Sequence, residues 1–505
     1  MAPSAIPTVT TRYIPPYAIP DPIGTCHLLA LPDEVLAGIF TRLDRVSLTR
    51  CYRLCRTLNQ ILTTNSVISL HHLLLCNALR LNPAVNQASP NSPHAPLSSA
   101  HLLSTLRERL ARFRNFIPRQ QSSLEMEPGG SLYEYLEGVL LRGRRTGGEL
   151  SRELTVYDLR KLGEWEDTPL EETVGTDASA SEEIEETTES EAAKGLRTKK
   201  RFDFEIAEFA VDPGADLLVL AEVRTTGNRR HTMHFHLLTL STCETHPRAE
   251  NSILEWPLTM QRRKVSLGFQ ICDDGLFVLN HNLPGGPHDQ LCGWQWTTGR
   301  LAVTLRAFPT MSFESFVLLS SSAFVIPTII THLDPTSETA EELDNPADLS
   351  WTHHLHLYAF PPFSAIRMPA SRTEPMPPPH TAVHIATLDL PRFYVNITEN
   401  IPPPRLTIRT DPPPRQTFPT HPEHSPAPFL PTPESGLIVM EVFCQYPNGP
   451  DPHYVICLLK TTLLQYLPAP TSPLLFQAFP RPAPVVQWQT LAPRVRMFGP
   501  DMKPS

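Results

Sequence analysis

Two groups of histidines come nearest, by residue type and spacing, to a site that could bind a metal. The groups are His231, His234 and His236, and His353, His354 and His356. Tetrahedral zinc needs about four ligands in good geometry. On a strand, residues two apart share a face while their neighbours point away. Because nothing in the sequence pairs the two groups, we interpret them as strand-face histidines and expect no metal.

The sequence also lacks the short motifs that hold phosphates, dinucleotides or catalytic nucleophiles. It contains no P-loop, no GxGxxG between a strand and a helix, no GxSxG and no HExxH. Scattered acids, serines and histidines leave a hydrolase site open, but we expect no catalytic residue and no cofactor. The nine cysteines, an odd number without a CxxC pair, are typical of free thiols in a reducing compartment.

Composition narrows the class of protein. The chain has 505 residues, of which 55 are proline, and a net charge of −9. This proline content disfavours long helices and favours turns, edge strands and linkers. The acidic balance gives no support for a nucleic-acid partner. No apolar run reaches the roughly 18 residues of a membrane helix, and the first residues lack a signal-peptide pattern. We therefore expect a soluble protein of the cytoplasm or nucleus.

One short helical block stands out near the start, in LPDEVLAGIFTRLDRVSLTRCYRLCRTLNQIL at 31–62. Leu36, Ile39, Phe40 and Leu43 have the spacing of one helical face, with Asp33 and Glu34 at the positive end of the helix dipole. A second helix is predicted from about Ser47, with Leu48, Cys51, Cys55, Leu58 and Leu62 on one face. A third is predicted to stop at Asn82–Pro83.

This block resembles the F-box, a small helical motif. The match runs through Leu31, Pro32, Glu34, Leu36, Ile39, Phe40, Leu43, Leu48, Arg50, Cys55, Arg56 and Leu58. Asp44–Arg45 replaces the usual proline-containing turn, and Leu54 stands where the family often has valine. The resemblance implies docking to a Skp-type adaptor, and through it to a cullin, by Leu31, Pro32, Glu34, Leu36, Ile39, Phe40, Leu43, Leu48, Cys55 and Leu58.

The residues also favour docking independently of the resemblance. Apolar side chains lie on more than one face, because Val35 and Leu36 accompany Leu31 and Pro32, and so small a bundle buries little surface. A standard interface hides roughly 800 Å² per partner around apolar anchors. The alternative is that these side chains pack against the rest of the same chain.

The connecting region contains a linker and one more helix. Ser98 or Ser99 is a candidate cap, and Leu102, Leu103, Leu106, Leu110 and Phe113 are predicted to face inward. Arg107, Arg109, Arg112 and Arg114 are interpreted as a solvated face and not as a nucleic-acid patch. A later acidic run at 164–191 is predicted to be a disordered spacer, with phosphorylation or partner binding left open.

From Leu132 onward the pattern is strand, polar turn, strand, without helical periods between them. This predicts an all-β sandwich, barrel or propeller. CGWQWTTGRL resembles a blade hairpin of WD-repeat propellers, although no regular repeat is present. The combination resembles the F-box proteins with degenerate propellers of mushroom-forming fungi, which implies six to eight blades. The proline tracts near 375–380 and at 401–435 are predicted to be surface loops, with SH3- or WW-type binding as the alternative.

The fold class expected from these patterns is α+β and multidomain, with a helical F-box bundle before an all-β, propeller-like domain. The boundaries are a disordered tail at 1–26, the F-box at 27–82, a linker and connecting helix at 83–131, and the β domain at 132–505. The β domain carries an acidic insert at 162–200 and the proline-rich loop at 401–435. The expected function is a non-catalytic receptor subunit of a Skp–cullin–F-box (SCF) ubiquitin ligase that binds an unknown protein target. The alternatives are a scaffold outside ubiquitination and an enzyme with its site on the β domain.

Overall fold

The architecture was obtained as a computed structural model of the whole chain. It describes residue 28 and residues 31–82, 98–118, 132–143, 151–160, 197–226, 230–258, 266–281, 289–307, 311–333, 349–366, 379–391, 405–411, 428–443, 453–476 and 483–499. The predicted N-terminal tail at 1–26 and most of the acidic insert lie outside these residues. The chain divides into two units: Met1–Gln121 with Pro426–Leu430, and Ser122–Ser425 with Pro431–Ser505.

The first unit is mainly helical. Its described helices are α1 (Asp33–Phe40), α2 (Arg45–Leu54), α3 (Arg56–Thr64), α4 (Ser66–Cys76) and α5 (Ser99–Arg114). Side chains cap the starts of four of them, as short helices require. Asp44 accepts hydrogen bonds from Val46 N and Ser47 N at the start of α2, and Asn65 caps α4 in the same way. Ser98 Oγ accepts from His101 N at 3.2 Å at the start of α5, so the first of the two predicted caps is correct.

The prediction of one second helix running through Leu62 was wrong, because the helix is interrupted at Cys55. Cys55 has an extended backbone (φ −155°, ψ 162°), ends α2 and caps α3. Its Sγ accepts from Leu58 N at 3.5 Å, while the side-chain amide of Asn59 donates to the carbonyl of Tyr52 at 2.9 Å. These bonds satisfy groups that a continuous helix would have paired.

The third helix also ends earlier than expected. α4 stops at Cys76, and Ala78 takes a left-handed conformation with φ 55°. That residue turns the chain out of the helix into β1 (Leu79–Leu81), which pairs with β21 (Phe429–Pro431). The unit therefore contains a small two-stranded sheet that no helical pattern indicates.

Two separate hydrophobic clusters fill the first unit. One lies beneath α1 and consists of Leu36, Phe40, Leu48, Leu58, Leu62 and Ile68. The other joins α4 to α5 through Leu70, Leu74, Leu102, Leu103, Leu106 and Phe429. Phe113, predicted to face inward, is 79% exposed. Phe113 lies beyond the packed part of α5, because α5 has 16 residues against 11 in α4 and the side chains of α5 that pack in this cluster end at Leu110.

The second unit is built from five antiparallel-based sheets in chain order. The first sheet contains β2 (Leu132–Leu136), β3 (Val139–Gly143), β4 (Ser151–Asp158) and β5 (Arg197–Ile206). The second sheet contains β6 (Glu208–Asp212), β7 (Leu217–Thr226), β8 (Arg230–Thr239) and β9 (Ile253–Leu258). The third is β10 (Ser266–Cys272), β11 (Gly275–His281), β12 (Gln290–Gln295) and β13 (Arg300–Arg306), with β18 (His380–Thr381) parallel at its edge.

The fourth sheet is β14 (Met311–Phe313), β15 (Val317–Ser320), β16 (Ala323–Leu333), β17 (Leu349–Ala359), β19 (Val383–Asp389) and β24 (Val485–Val486). The fifth is β20 (Arg405–Asp411), β22 (Leu437–Phe443), β23 (His453–Leu459) and β25 (Val495–Phe498). Short helices α6 (Lys460–Leu464) and α7 (Trp488–Leu491) follow β23 and β24. Within the described residues none of these sheets closes on itself, and the five sheets do not by themselves establish a propeller or its number of blades.

Burial alternates along some of these strands, whereas others such as β11 are buried along nearly their whole length. β9 alternates fully, with Leu254, Trp256 and Leu258 buried and the residues between them less so, which is the period of a pleated strand. The CGWQWTTGRL segment forms the predicted hairpin of β12 and β13. Gly299 ends its turn at φ 73°, a conformation that side chains disfavour.

Side chains and backbone link consecutive sheets. Gln270, in the third sheet, bonds the fourth sheet through its side-chain amide. Its Nε2 donates to Phe316 O at 2.7 Å, and its Oε1 accepts from Leu318 N at 2.8 Å. Ser315 Oγ, before β15, accepts from Ile408 N on β20 at 3.0 Å. One strand of each sheet contacts one strand of the next, in the order β2 with β6, β6 with β10, β10 with β15, and β15 with β20. In four of the sheets this is the first strand, and in the fourth sheet it is β15, which follows β14.

Two predicted insertions contain regular structure at their ends. β5 begins at Arg197, inside the range expected for the acidic insert, and pairs with β4. The range expected to be a proline-rich loop, 401–435, contains β20 and β21. Local composition had pointed to loops, but strand pairing with distant segments supplies the backbone hydrogen bonds that stabilise these strands.

Candidate docking site

Helix α1 begins as its sequence predicts. The carbonyl of Pro32 accepts hydrogen bonds from Val35 N and Leu36 N, each at 3.0 Å. The side chain of Pro32 makes no capping hydrogen bond, but Asp33 and Glu34 occupy the first turn, where their negative charge interacts favourably with the helix dipole. The helix is thus oriented from its first residues, with Leu31 immediately before it.

The two faces of α1 differ in what covers them. Leu36 and Phe40 are 1% and 2% exposed and form part of the cluster beneath the helix. Leu31, Val35 and Ile39 are uncovered, at 37%, 46% and 37% exposure. Val35 and Ile39 are four residues apart and so lie on one side of the helix, and Leu31 precedes Val35 by four residues, just before the helix begins. We call Leu31, Val35 and Ile39 the α1 stripe.

Hydrogen bonds among α2, α3 and α4 fix the base on which α1 rests. Tyr52 Oη donates to Leu62 O at 3.1 Å, and Ser69 Oγ donates to the same carbonyl at 2.8 Å. The rings of Tyr52 and His72 pack with their centroids 4.6 Å apart. Burial raises the pKa of Tyr52 and lowers the pKa of His72, so both side chains favour their neutral forms.

The turn between α1 and α2 is held by a carboxylate. Asp44 Oδ1 accepts from the backbone of Val46 and Ser47, and Asp44 Oδ2 accepts from Ser47 Oγ at 2.6 Å. The hydroxyl of Ser47 is the main cause that lowers the pKa of Asp44. Asp44, a departure from the usual F-box turn, is thus the N-cap that starts α2.

The structure divides the expected docking residues by exposure. Leu31, Pro32, Glu34, Ile39 and Cys55 are exposed, Leu43 is half-buried, and Leu36, Phe40, Leu48 and Leu58 are buried. Helical spacing predicted one face of Leu36, Ile39, Phe40 and Leu43, and this was wrong for Ile39, which is exposed while Leu36 and Phe40 are buried. Leu28, 37% exposed, was missed, although it precedes Leu31 by three residues and its carbonyl accepts from Leu31 N at 3.3 Å.

The histidines lie on strands, as interpreted from the sequence. His236 Nε2 is 2.8 Å from Glu222 Oε2, and His356 Nδ1 is 3.0 Å from the His384 ring. Burial lowers the pKa of His356 to about 3 and that of His353 to about 4, so both are neutral at physiological pH. In the described part of the chain, no three histidine, cysteine, aspartate or glutamate residues come together in an arrangement that could hold a metal.

No described helix combines the length and apolar character needed to cross a bilayer. The exposed apolar surface of the first unit extends beyond the α1 stripe. Val46 and Leu54 on α2 are 50% and 69% exposed. Exposed apolar surface of this kind is typical of an interaction site.

Comparison with known proteins supports the F-box prediction for the N-terminal part of the chain. No curated protein matches the chain. A crystal structure of an ACO/RPE65 chimera in a monoclinic crystal form is similar at 8% identity over 48% of this chain and 53% of that chain, with a TM-score of 0.20. That score is too low to support any argument about the fold. A model described as F-box-like matches residues 28–68, and these residues, with α1 to α3 and the start of α4, are an F-box-like domain.

Proposed function

We propose that this chain is the substrate-recognition subunit of an SCF ubiquitin ligase. F-box domains generally bind Skp-type adaptors, and the F-box-like domain covers residues 28–68. The observation that carries the proposal is the α1 stripe, whose three apolar side chains lie on and just before a helix and are exposed, while Leu36 and Phe40 of the same helix are buried. The adaptor would cover the stripe together with Pro32 and Leu28 and would connect the chain to a cullin.

The stripe has the properties of an interface centre. Interfaces concentrate their binding energy in a few apolar or aromatic anchors that become fully desolvated. Leu36 and Phe40 hold α1 against the cluster beneath it, so the anchors are presented on a fixed helix. Gly38 adds to this surface, because a Cβ placed there would meet no atom within 4 Å, and a partner can approach the backbone closely at this position.

We also propose that the β unit is a propeller-like array of five blades that holds the protein target. The support is the order of contacts, since one strand near the start of each sheet (β2, β6, β10, β15 and β20) contacts the corresponding strand of the next sheet. Such radial repetition protects sheet edges and leaves loops on a broad surface. A cysteine pair, one on β2 and one on β20, would cross-link in a closed ring, and failure to cross-link would argue for an open array.

On this proposal the chain supplies no nucleophile. A receptor of this kind accelerates ubiquitin transfer by holding a target lysine near a ubiquitin-loaded enzyme that the complex provides, which is catalysis by proximity. The chain would work inside the cell, where the ligase components are. The identity of the target depends on loops of the β unit and follows from no motif in the sequence.

The test is capture of a Skp-type adaptor by the full chain. The intact protein is expected to co-purify with the adaptor, and the Leu31→Ala, Pro32→Ala double variant is expected to lose most of this capture. Phe113→Ala is the matched control, because it also removes an exposed apolar side chain from the first unit. No capture by the intact chain would refute the ligase role and favour a scaffold outside ubiquitination. Capture that survives the double variant would mean that the contact lies elsewhere.

A further inference from the structure

A short segment from far along the chain completes the helical unit. Pro428 and Leu430 flank Phe429, and these residues (the strap, residues 428–430) belong to the first unit although the chain on both sides belongs to the second. β21 pairs with β1. The carbonyl of Pro428 also accepts a hydrogen bond from Asn82 N at 3.0 Å.

Phe429 is the side chain that anchors the strap. It is 3% exposed and packs in the cluster of Leu70 and Leu74 from α4 and Leu102, Leu103 and Leu106 from α5. Leu79 and Leu81 of β1 pack against the same cluster. The two helices and β1 therefore form a groove lined by leucines, with one aromatic side chain inserted and one strand edge beside it.

This arrangement has the features of peptide recognition by strand addition. In that mode, backbone hydrogen bonds to a free strand edge provide part of the affinity, and a pocket for one side chain provides the specificity. The strap is short, and Pro428 and Pro431 border its anchor. Proline restricts the backbone before binding, which reduces the entropy lost when an extended segment is ordered.

The groove and the α1 stripe are supported by different side chains. The cluster beneath α1 and the cluster around Phe429 have no residue in common, although α4 contributes Ile68 to the first and Leu70 and Leu74 to the second. Loss of the strap would expose the leucines of α4 and α5 without removing any side chain that packs against Leu36 and Phe40.

We propose that α4, α5 and β1 form a docking groove for an extended peptide with an aromatic anchor, and that the chain's own residues 428–430 occupy it. The occupied groove holds α5 and β1 in place. The strap is held by non-covalent contacts and is far in sequence from α4, α5 and β1. A separate peptide with the same sequence would therefore bind the groove in the same way. This inference stands without adaptor binding.

The test uses the full chain and hydrogen exchange. Phe429→Ala removes the anchor and is expected to lower exchange protection in β1 and α5 by about tenfold or more, because loss of a buried phenylalanine strongly weakens local packing. Protection of α1 to α3 is expected to stay near that of the intact chain. Phe113→Ala on the same helix, 79% exposed, is the control and is expected to change little.

A rescue experiment separates docking from general damage. A synthetic peptide of residues 424–433, added in large excess to the Phe429→Ala chain, is expected to restore protection of β1 and α5, and the same peptide with alanine at 429 is expected to fail. Unchanged exchange in Phe429→Ala, or no rescue by the intact peptide, would overturn the proposal. If Phe429→Ala also unfolds α1 to α3, the milder Phe429→Leu variant is tested with the same two peptides.

Discussion

Alanine at all three positions of the α1 stripe should abolish most adaptor binding without unfolding the domain. Leu31, Val35 and Ile39 are 37%, 46% and 37% exposed. Full burial of such a side chain contributes about 1.5–3 kcal/mol, so covering the exposed part contributes about 0.6–1.4 kcal/mol at each position. The three together contribute about 2–3.5 kcal/mol, which corresponds to roughly 20- to 400-fold in Kd.

The same substitutions should leave the fold intact. Val35 and Ile39 are exposed helix positions, where alanine is the better helix former by a few tenths of a kcal/mol. Substitution on the opposite face behaves differently. Leu36→Ala and Phe40→Ala remove side chains that are 1% and 2% exposed, and each should cost about 2–5 kcal/mol of stability.

Two measurements are needed: the Kd for an immobilised Skp-type adaptor and hydrogen exchange over residues 31–64. The reasoning predicts weak binding with native protection for the triple variant, and lost protection for Leu36→Ala and Phe40→Ala. Phe113→Ala should bind within about twofold of the intact chain, since it alters an exposed residue outside the stripe. A triple variant that is protected and still binds within twofold would refute the assignment of the stripe as the docking face.

Three further predictions concern stability. The β unit should lose stability as the pH falls from about 6.5 towards 4, because burial depresses the pKa of His353 and His356 to about 4 and about 3 and the unfolded chain then binds more protons. The free energy of unfolding should fall by about 1 kcal/mol per histidine at pH 5.5. His353→Leu should weaken the pH dependence of this free energy, measured by urea unfolding, and an unchanged pH dependence would contradict the assignment. Cys55→Ser should stabilise α3 by several tenths of a kcal/mol, because serine is the better N-cap, whereas Cys55→Ala should not; equal melting temperatures would count against the capping role. Gly299→Ala should destabilise the β12–β13 hairpin by about 1 kcal/mol or more, because φ is 73° and a Cβ would lie 2.3 Å from the Asn251 side chain; a melting temperature equal to that of the intact chain would show that the turn relaxes freely.

Much of the local structure could be predicted from the sequence. The spacing of Leu36, Ile39, Phe40 and Leu43 predicted α1, and the pattern of strand, polar turn and strand from Leu132 onward predicted a second unit rich in strands. The strand pattern was wrong at KTTLL, which forms helix α6 after β23. Helix starts were also predicted where a capping serine or acidic first turn marks them. These signals succeed because each depends on residues within a few positions of one another.

The division of the candidate site into exposed and buried residues was not predictable in the same way. Spacing predicted Ile39 on the same face as Leu36 and Phe40, and it could not separate these residues from Leu31 and Val35, because all five are apolar. Only the packing of α2, α3 and α4 decides which side is covered. The break at Cys55 has a similar origin, since the bonds of Tyr52 to Leu62 and of Asn59 to Tyr52 select two short helices over one.

By itself, the sequence determined that a small helical F-box-like block precedes a long β region, because helical and strand periods are properties of neighbouring residues. Only the tertiary structure decided that the described part of the β region divides into five sheets, that Leu31, Val35 and Ile39 stay uncovered, and that Phe429 packs among the leucines of α4 and α5. The physical reason is that burial and strand pairing depend on segments far apart in the chain, and a proline-rich stretch gains a strand partner only when such a segment provides a free edge.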